Sequence, residues 1–403
     1  MAETGAGVTA PDVLRERMVT DLRARGAITS AKVEEAFLKV PRHLFAPEVA
    51  AEEVYGAAEA VFTKYNSSGR PVSSVSAPWL HARMLEAAQV APGMTVLEIG
   101  SGGCNAALLA EMTGDQELVT TLDIDPDITA RARTLLTDAG YEKVRVLEAD
   151  GAKPLPDAPV RGFDRIVVTV GAADVPTAWF DQLASEGRLV VPLRFRGLSR
   201  TIAFAREQDH LRSDTLIVSG FVAMQGDSAH APRVVRLAGQ DVRLVVDEGQ
   251  PADAEAMAEA FAGPRHEQWT GVELGGSEGV LPRLEVWLAG VIAPYGRLRA
   301  TRAAMDGGLV GWVLDRGMPA VWTDDCLAYL TLRQVPQEGY ELGVIAHGPG
   351  RERLAARLAD AVVRFDRGAR AAGQPVVRAY PRADQEVPAR VTVDKPSVRL
   401  VIT

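Results

Sequence analysis

The chain has 403 residues, 47% of them apolar and 24% charged, with a formal net charge of −9. That length exceeds one ordinary core and predicts two domains, and the acidic balance excludes a nucleic-acid partner, which needs a basic footprint. There is no run of 18 apolar residues and no basic-then-apolar leader, and Cys104 and Cys326 form no CxxC or Cys/His cluster, so a cytoplasmic protein with no membrane partner and no metal is expected.

Pro11 opens a predicted helix over 11–26, with Val13, Leu14, Met18, Val19 and Leu22 apolar and Gly26 as its stop. Ser30 precedes a second helix, 31–38, with Glu34 as its capping-box partner. Residues 56–78 hold no period and are rich in Ser, Gly and Pro, which predicts a loop over a site. Pro78 starts the next helix, which runs to Val90. From residue 95 the pattern alternates: strand 95–99, helix 105–112, strand 118–122, helix 126–139, strand 144–148, strand 163–169, helix 177–184 and strand 188–193. This order predicts right-handed crossovers and an α/β, Rossmann-like parallel sheet behind a helical N-terminal cap. Segments 199–207 and 214–224 read as two antiparallel strands that close it.

A first domain is therefore expected over 1–230, a linker over 231–240, and a C-terminal α+β domain over 241–403. Within the last, 309–314, 320–323, 327–333, 341–346 and 398–402 have strand character. A helix over 350–371 carries Leu354, Leu358, Ala361, Val362 and Phe365 on one stripe, the pattern of a core-facing helix. Its arginines (351, 353, 357, 364, 367, 370) form a solvated face or, alternatively, attract an acidic peptide.

Residues 94–105, Met-Thr-Val-Leu-Glu-Ile-Gly-Ser-Gly-Gly-Cys-Asn, carry the chemistry. A strand that ends in glycines and runs at once into a helix brings backbone close to a nucleotide-like ligand. Glu98 is placed to steady that turn, and Asp123, one βα unit later, to accept hydrogen bonds from two ribose hydroxyls; both could instead be solvated loop carboxylates. No phosphate-binding GK[ST] follows, so the ligand has a ribose without a polyphosphate, a description that S-adenosylmethionine fits best.

Arg15-Glu-Arg-Met-Val19, Leu22-Arg-Ala-Arg-Gly26, Val40-Pro-Arg-His-Leu-Phe-Ala-Pro47, Ser74-Val-Ser-Ala-Pro78, Asp150-Gly151, Phe163-Asp-Arg-Ile166, Gly187-Arg-Leu-Val-Val-Pro192 and Gly220-Phe-Val-Ala-Met224 follow in order. This series, over about 12–225, resembles the protein-L-isoaspartate O-methyltransferases. The chain departs from that family in a shortened glycine turn, an unusual 56–73 segment and about 175 residues beyond the usual end. With that extension it is most similar to the methyltransferases found beside FxLD-type lanthipeptide genes, which esterify an aspartate and lead to aspartimide and isoaspartate.

The resemblance implies S-adenosylmethionine as cofactor, S-adenosylhomocysteine as product and a ribosomal precursor peptide as partner. It implies cofactor contacts from Ser76, Glu98, Gly100, Ser101, Gly102, Asn105, Asp123, Ile124, Asp150, Gly151 and Val170, with Asp150 on the adenine amino group. Ser74, Val75 and Ser76 would meet the acceptor, and Ser76 would be the catalytic hydroxyl unless it only caps the helix from Pro78. Two alternatives stay open: a protein-repair isoaspartate methyltransferase, and a non-catalytic peptide-binding protein of the same fold.

Overall fold

Helix α1 (Pro11–Ala24) starts on proline, whose fixed φ suits the first helical position, and buries Met18, Val19 and Leu22. In α2 (Ala31–Lys39) the Ser30 side chain accepts from the Val33 amide. The acid that receives the Ser30 amide is Glu86, at 2.8 Å, whereas Glu34 pairs with Arg23. The expected local capping box is thus replaced by a partner 56 residues away.

After α3 (Ala51–Val54), the expected loop 56–78 contains a hairpin, β1 (Val61–Tyr65) against β2 (Pro71–Val75). Two register shifts break the period-2 alternation, which is why the sequence reads as aperiodic. Asn66 closes the turn by accepting from the amides of Ser68 and Arg70. Helix α4 (Pro78–Ala88) ends at Gln89 in the left-handed region.

The computed structural model describes residues 9–275, 279–336, 339–382 and 391–403. They divide into two compact units: one runs to Leu193 and resumes over Arg200–Ala229, and the other comprises Arg194–Ser199 and His230–Thr403.

The first unit is built on β3 (Val96–Ile99), α5 (Cys104–Thr113), β4 (Val119–Asp123), α6 (Pro126–Asp138), β5 (Arg145–Glu148), β6 (Phe163–Val168), α7 (Thr177–Asp181), β7 (Leu183–Phe195), β8 (Leu198–Glu207) and β9 (His210–Val218). Its strand order is β9-β8-β7-β6-β3-β4-β5. Strands β7 to β5 run parallel and β8–β9 form an antiparallel close. The expected strand over 214–224 stops at Val218. The chain then passes beside Gly171, whose amide donates to the Val222 carbonyl while the Met224 amide donates back.

In the second unit the expected linker 231–240 is instead a strand, β10 (Arg233–Ala238). It is followed by β11 (Val242–Val246), α8 (Ala254–Ala262), β12 (Arg265–Gly275), α9 (Val280–Val291), β13 (Tyr295–Ala300), α10 (Arg302–Asp306), β14 (Met318–Trp322), β15 (Leu327–Val335), β16 (Gly339–His347) and α11 (Arg351–Arg364). A seven-stranded sheet, antiparallel at every pair, runs β10-β11-β13-β14-β15-β16-β12. Segment 309–314 forms no strand; its Gly311 backbone lies against Thr331, where a Cβ would meet the hydroxyl at 2.4 Å. The stripe of α11 is buried from Leu354 to Phe365, and the helix turns into a π turn at Phe365–Ala369. Strands β17 (Val377–Pro381), β18 (Thr392–Asp394) and β19 (Val398–Ile402) pair antiparallel in the order β18-β19-β17. Among the described residues no helix is long and apolar enough to cross a membrane, and no cluster of metal-ligating side chains occurs.

Candidate active site

All four residues of β3 are buried, and the strand stops at Gly100, whose φ is +102°. A Cβ there would stand 2.6 Å from the Thr169 hydroxyl oxygen, so only glycine fits. Glu98, 1% exposed, points into the protein. Its carboxylate accepts from Asn105 Nδ2 at 2.8 Å and from the Thr121 hydroxyl at 2.6 Å. Burial pushes its pKa up to about 7, against the pull of those two hydrogen bonds. Glu98 and Asn105 therefore bind each other across the turn.

Asp123 ends β4 and is held by backbone: Oδ2 accepts from the Ser101 amide at 3.2 Å and Oδ1 from the Asp125 amide at 3.0 Å. Burial raises its pKa, while these amides favour the charged form. Asp150 accepts from the Ala152 amide at 2.9 Å and from the Asp227 amide at 3.3 Å. Beside it, the Gly151 carbonyl accepts from the indole of buried Trp179 at 2.7 Å. Trp179 is a residue that sequence reasoning missed, because nothing local links it to a turn 28 positions earlier.

A cleft opens where these strands end, lined by Val72, Ile99, Gly100, Leu122, Asp123, Ile124, Gly151, Val170, Ala223, Met224 and Gln225. Gly100, Asp123, Ile124, Gly151 and Val170 are brought together in its wall. Ser76, Glu98, Ser101, Gly102, Asn105 and Asp150 lie outside that lining. Two further walls went unassigned in the sequence: Val72 from the hairpin, and Ala223–Gln225 from the segment after β9. That segment turns at Gly226 (φ +87°), where a Cβ would lie 2.9 Å from Asp150 Oδ2. The only local signal there is the glycine itself.

Buried Ser76 is fixed through its backbone. Its carbonyl accepts from Arg42 Nη2 at 2.7 Å, and Arg42 Nε donates to the Val54 carbonyl at 2.8 Å. Ala77 is the N-cap of α4 and no side chain caps that helix, so Ser76 is not the cap. Ser74 presents its carbonyl to the glycine turn, 3.4 Å from where a Gly102 Cβ would stand, while Val75 is buried. Cys104 is a buried thiol raised above its ordinary pKa by desolvation, which suits packing rather than reactivity. His81 is buried as a neutral ring, its pKa lowered to about 3 by desolvation and then by Arg42. The hairpin is tied down by Lys64, whose ammonium reaches Asp125 at 2.7 Å and Asp127 at 2.8 Å at the start of α6.

Most of the side chains that line the cleft are apolar, with backbone groups and one carboxylate at a βα junction among them. That chemistry fits a planar base and a ribose: Asp123 faces it with backbone-held oxygens, and an added Cβ at Gly151 would strike Ile99 at 2.5 Å.

The family model for Protein-L-isoaspartate(D-aspartate) O-methyltransferase matches residues 14–229. The protein-L-isoaspartate O-methyltransferase of Methanopyrus kandleri is 37% identical over 200 residues, covering 48% of this chain and 83% of that protein. The Pyrococcus horikoshii enzyme of the same name is 39% identical over 185 residues, 44% of this chain and 76% of its own. A solved structure called protein-L-isoaspartate O-methyltransferase shares the fold at TM-score 0.51 and 18% identity, covering 94% of this chain and all of that one. With more than half of its length inside the family match, the chain belongs to the protein-L-isoaspartate(D-aspartate) O-methyltransferase family, S-adenosylmethionine-dependent enzymes that methylate a carboxylate of a protein or peptide.

Proposed function

We propose that this enzyme acts in the cytoplasm as an aspartyl O-methyltransferase on a ribosomally made, lanthipeptide-type peptide, with residues 241–403 helping to hold that peptide. The observation that carries the reading is the second unit: residues 230–403 lie outside the family match, yet fold around their own seven-stranded sheet. A peptide tailoring enzyme must reject the ordinary aspartates of the cell, and contacts remote from the reacting carboxylate supply that discrimination.

S-adenosylmethionine supplies an electrophilic methyl group when bound. Asp123 would hold its ribose, the Gly151 backbone and the apolar Ile124 and Val170 would flank its adenine, and the Gly100 turn would pass beneath it. Asp150 stands one residue from the lining, its carboxylate already engaged by two amides, and would take the adenine amino group from behind Gly151. Glu98, Asn105, Ser101 and Gly102 would act by holding the turn. The acceptor carboxylate is ionised at neutral pH, with an ordinary pKa of about 4, so no general base is needed. Ser76, fixed by Arg42 and free of capping duty, would orient it together with Ser74 and Val75. Catalysis then rests on alignment and on drying two opposite charges as they cancel. In the resulting ester, the nitrogen of the next residue attacks the aspartyl carbonyl and expels methanol, which closes the succinimide.

The experiment is mass spectrometry of one peptide presented with L-aspartate or with L-isoaspartate. Loss of one water from the L-aspartyl form is expected; esterification confined to the isoaspartyl form overturns the reading. Ser76→Ala should lower kcat by about tenfold or more with little change in cofactor affinity, measured by steady-state kinetics and calorimetry. Protein repair is the second reading. A chain named as an isoaspartate methyltransferase is matched over its full length, so an extension of this size is not peculiar to peptide tailoring.

A further inference from the structure

In the second unit, Arg236 of β10 pairs across the sheet with Arg243 of β11, and Arg243 pairs in turn with Arg299 of β13. Residues directly opposite on antiparallel strands point to the same face with Cβ atoms about 5 Å apart, and like charges so placed repel. The three arginines thus form a row across three strands. Arg236 and Arg299 are exposed and Arg243 is half-buried.

One step along the same face the chain treats an arginine differently. Arg297 is 2% exposed, lies 3.1 Å from the carboxylate of buried Glu285, and donates to the Gly317 carbonyl. Among the described residues no ion pair or hydrogen bond engages the side chains of Arg236, Arg243 or Arg299. Partial burial of its guanidinium, then the charges of Arg297 and Arg243, push Arg299 below the ordinary arginine value, although much of the side chain is open to solvent. In a chain of net charge −9, these three adjacent arginines lack a carboxylate partner among the described residues; Asp241, two residues before Arg243, accepts from the Thr301 hydroxyl at 2.8 Å instead.

We propose that the row Arg236–Arg243–Arg299 binds an acidic stretch of the peptide acceptor. The proposal rests on the peptide-modifying reading given above. Three fixed positive charges at strand spacing match carboxylates along an extended peptide, and arginine favours bidentate contact with carboxylates. A stretch of the peptide distinct from its reacting aspartate adds binding common to the ground and transition states, so its loss appears in KM and not in kcat.

The test uses the full chain and fluorescein-labelled octaglutamate and octaglutamine, read by anisotropy at about 50 and about 300 mM salt. Octaglutamate should bind, weaken with salt, and lose tenfold or more affinity in Arg243→Gln and Arg299→Gln, whereas octaglutamine should not bind. Arg243→Lys should retain part of the affinity. S-adenosylhomocysteine affinity should stay unchanged in every variant. The unliganded Tm of Arg243→Gln should hold or rise, because repulsion is relieved. Unchanged octaglutamate affinity in the triple glutamine variant overturns the proposal. So does a fall in Tm for all three single variants, which would make the arginines internal packing groups. Equal binding of a single-stranded DNA of matched charge also overturns it, in favour of a general polyanion surface. The anisotropy arm needs no turnover, so it reads the row even if no peptide is methylated.

Discussion

Strands β7 to β5 of the first unit run parallel and end their turns on one rim, whereas all pairs of the second unit's seven-stranded sheet are antiparallel. The consequence is two kinds of surface. In the first unit, recognition gathers at strand ends, where Gly100, Gly151 and backbone-held Asp123 shape a cleft. In the second, strand ends alternate sides and the loops do not converge, so the chemical information lies on a sheet face, in side chains that meet through register. A parallel sheet makes a pocket from the main chain; an antiparallel one makes a surface from side chains.

The sharpest way to break this comparison is Glu285→Ala. It strips the partner from Arg297 in a buried pair and should cost about 3–5 kcal/mol of the second unit's stability. Calorimetric scanning should show the loss, while S-adenosylhomocysteine binding by the first unit persists below the transition. Equal loss of both would mean that the units are not separable in energy.

Next is pH. Glu98 has its folded pKa raised to about 7 from an ordinary 4.5, so its contribution is fully present below about 4.5 and is lost as pH rises through about 7. The difference is roughly 3 kcal/mol. His81 works the opposite way: lowered to about 3 from 6.5, it contributes above about 6.5 and loses that contribution as pH falls toward 3. Glu98→Gln should flatten the decline in Tm between about pH 5 and 7 and leave the acid limb in place. An unaltered Tm profile would show that the turn does not hold Glu98 as described.

Asp123→Ala should weaken S-adenosylhomocysteine binding by about 1–3 kcal/mol in calorimetry, the scale of a lost charged hydrogen bond. Unchanged affinity would remove the carboxylate from the cofactor's site. The smallest effect is expected from Lys64→Met. The ion pairs that hold the hairpin are partly exposed, so stability should fall by no more than about 1 kcal/mol, with a few-fold change in KM for the cofactor. A change in kcat alone would separate the hairpin from cofactor binding.

Much of the first unit was legible from residues near one another in the chain. Strand, glycine turn and helix are contiguous over 94–113, so Gly100 and Asp123 could be set at strand ends by period and spacing. The apolar stripe of α11 was equally local. The hairpin over 61–75 was not, because bulges erased its alternation, and β10 was hidden in a stretch that carries exposed arginines and Val234. Ser76 was readable as a candidate only by its motif, and its freedom from capping became visible once Ala77 held the cap.

By itself, then, the sequence determined the strand-turn-helix repeat, the cap helices and the glycines and carboxylate that line the cleft, since each depends on neighbours within a turn or a strand. Tertiary structure decided which groups support them. It set Glu86 under Ser30, Trp179 under Gly151, Arg42 on Ser76 and Lys64 on Asp125, and it aligned Arg236, Arg243 and Arg299 in one row. Those contacts join residues from distant parts of the chain, and cross-strand register is settled by packing of whole sheet faces, which no local period encodes.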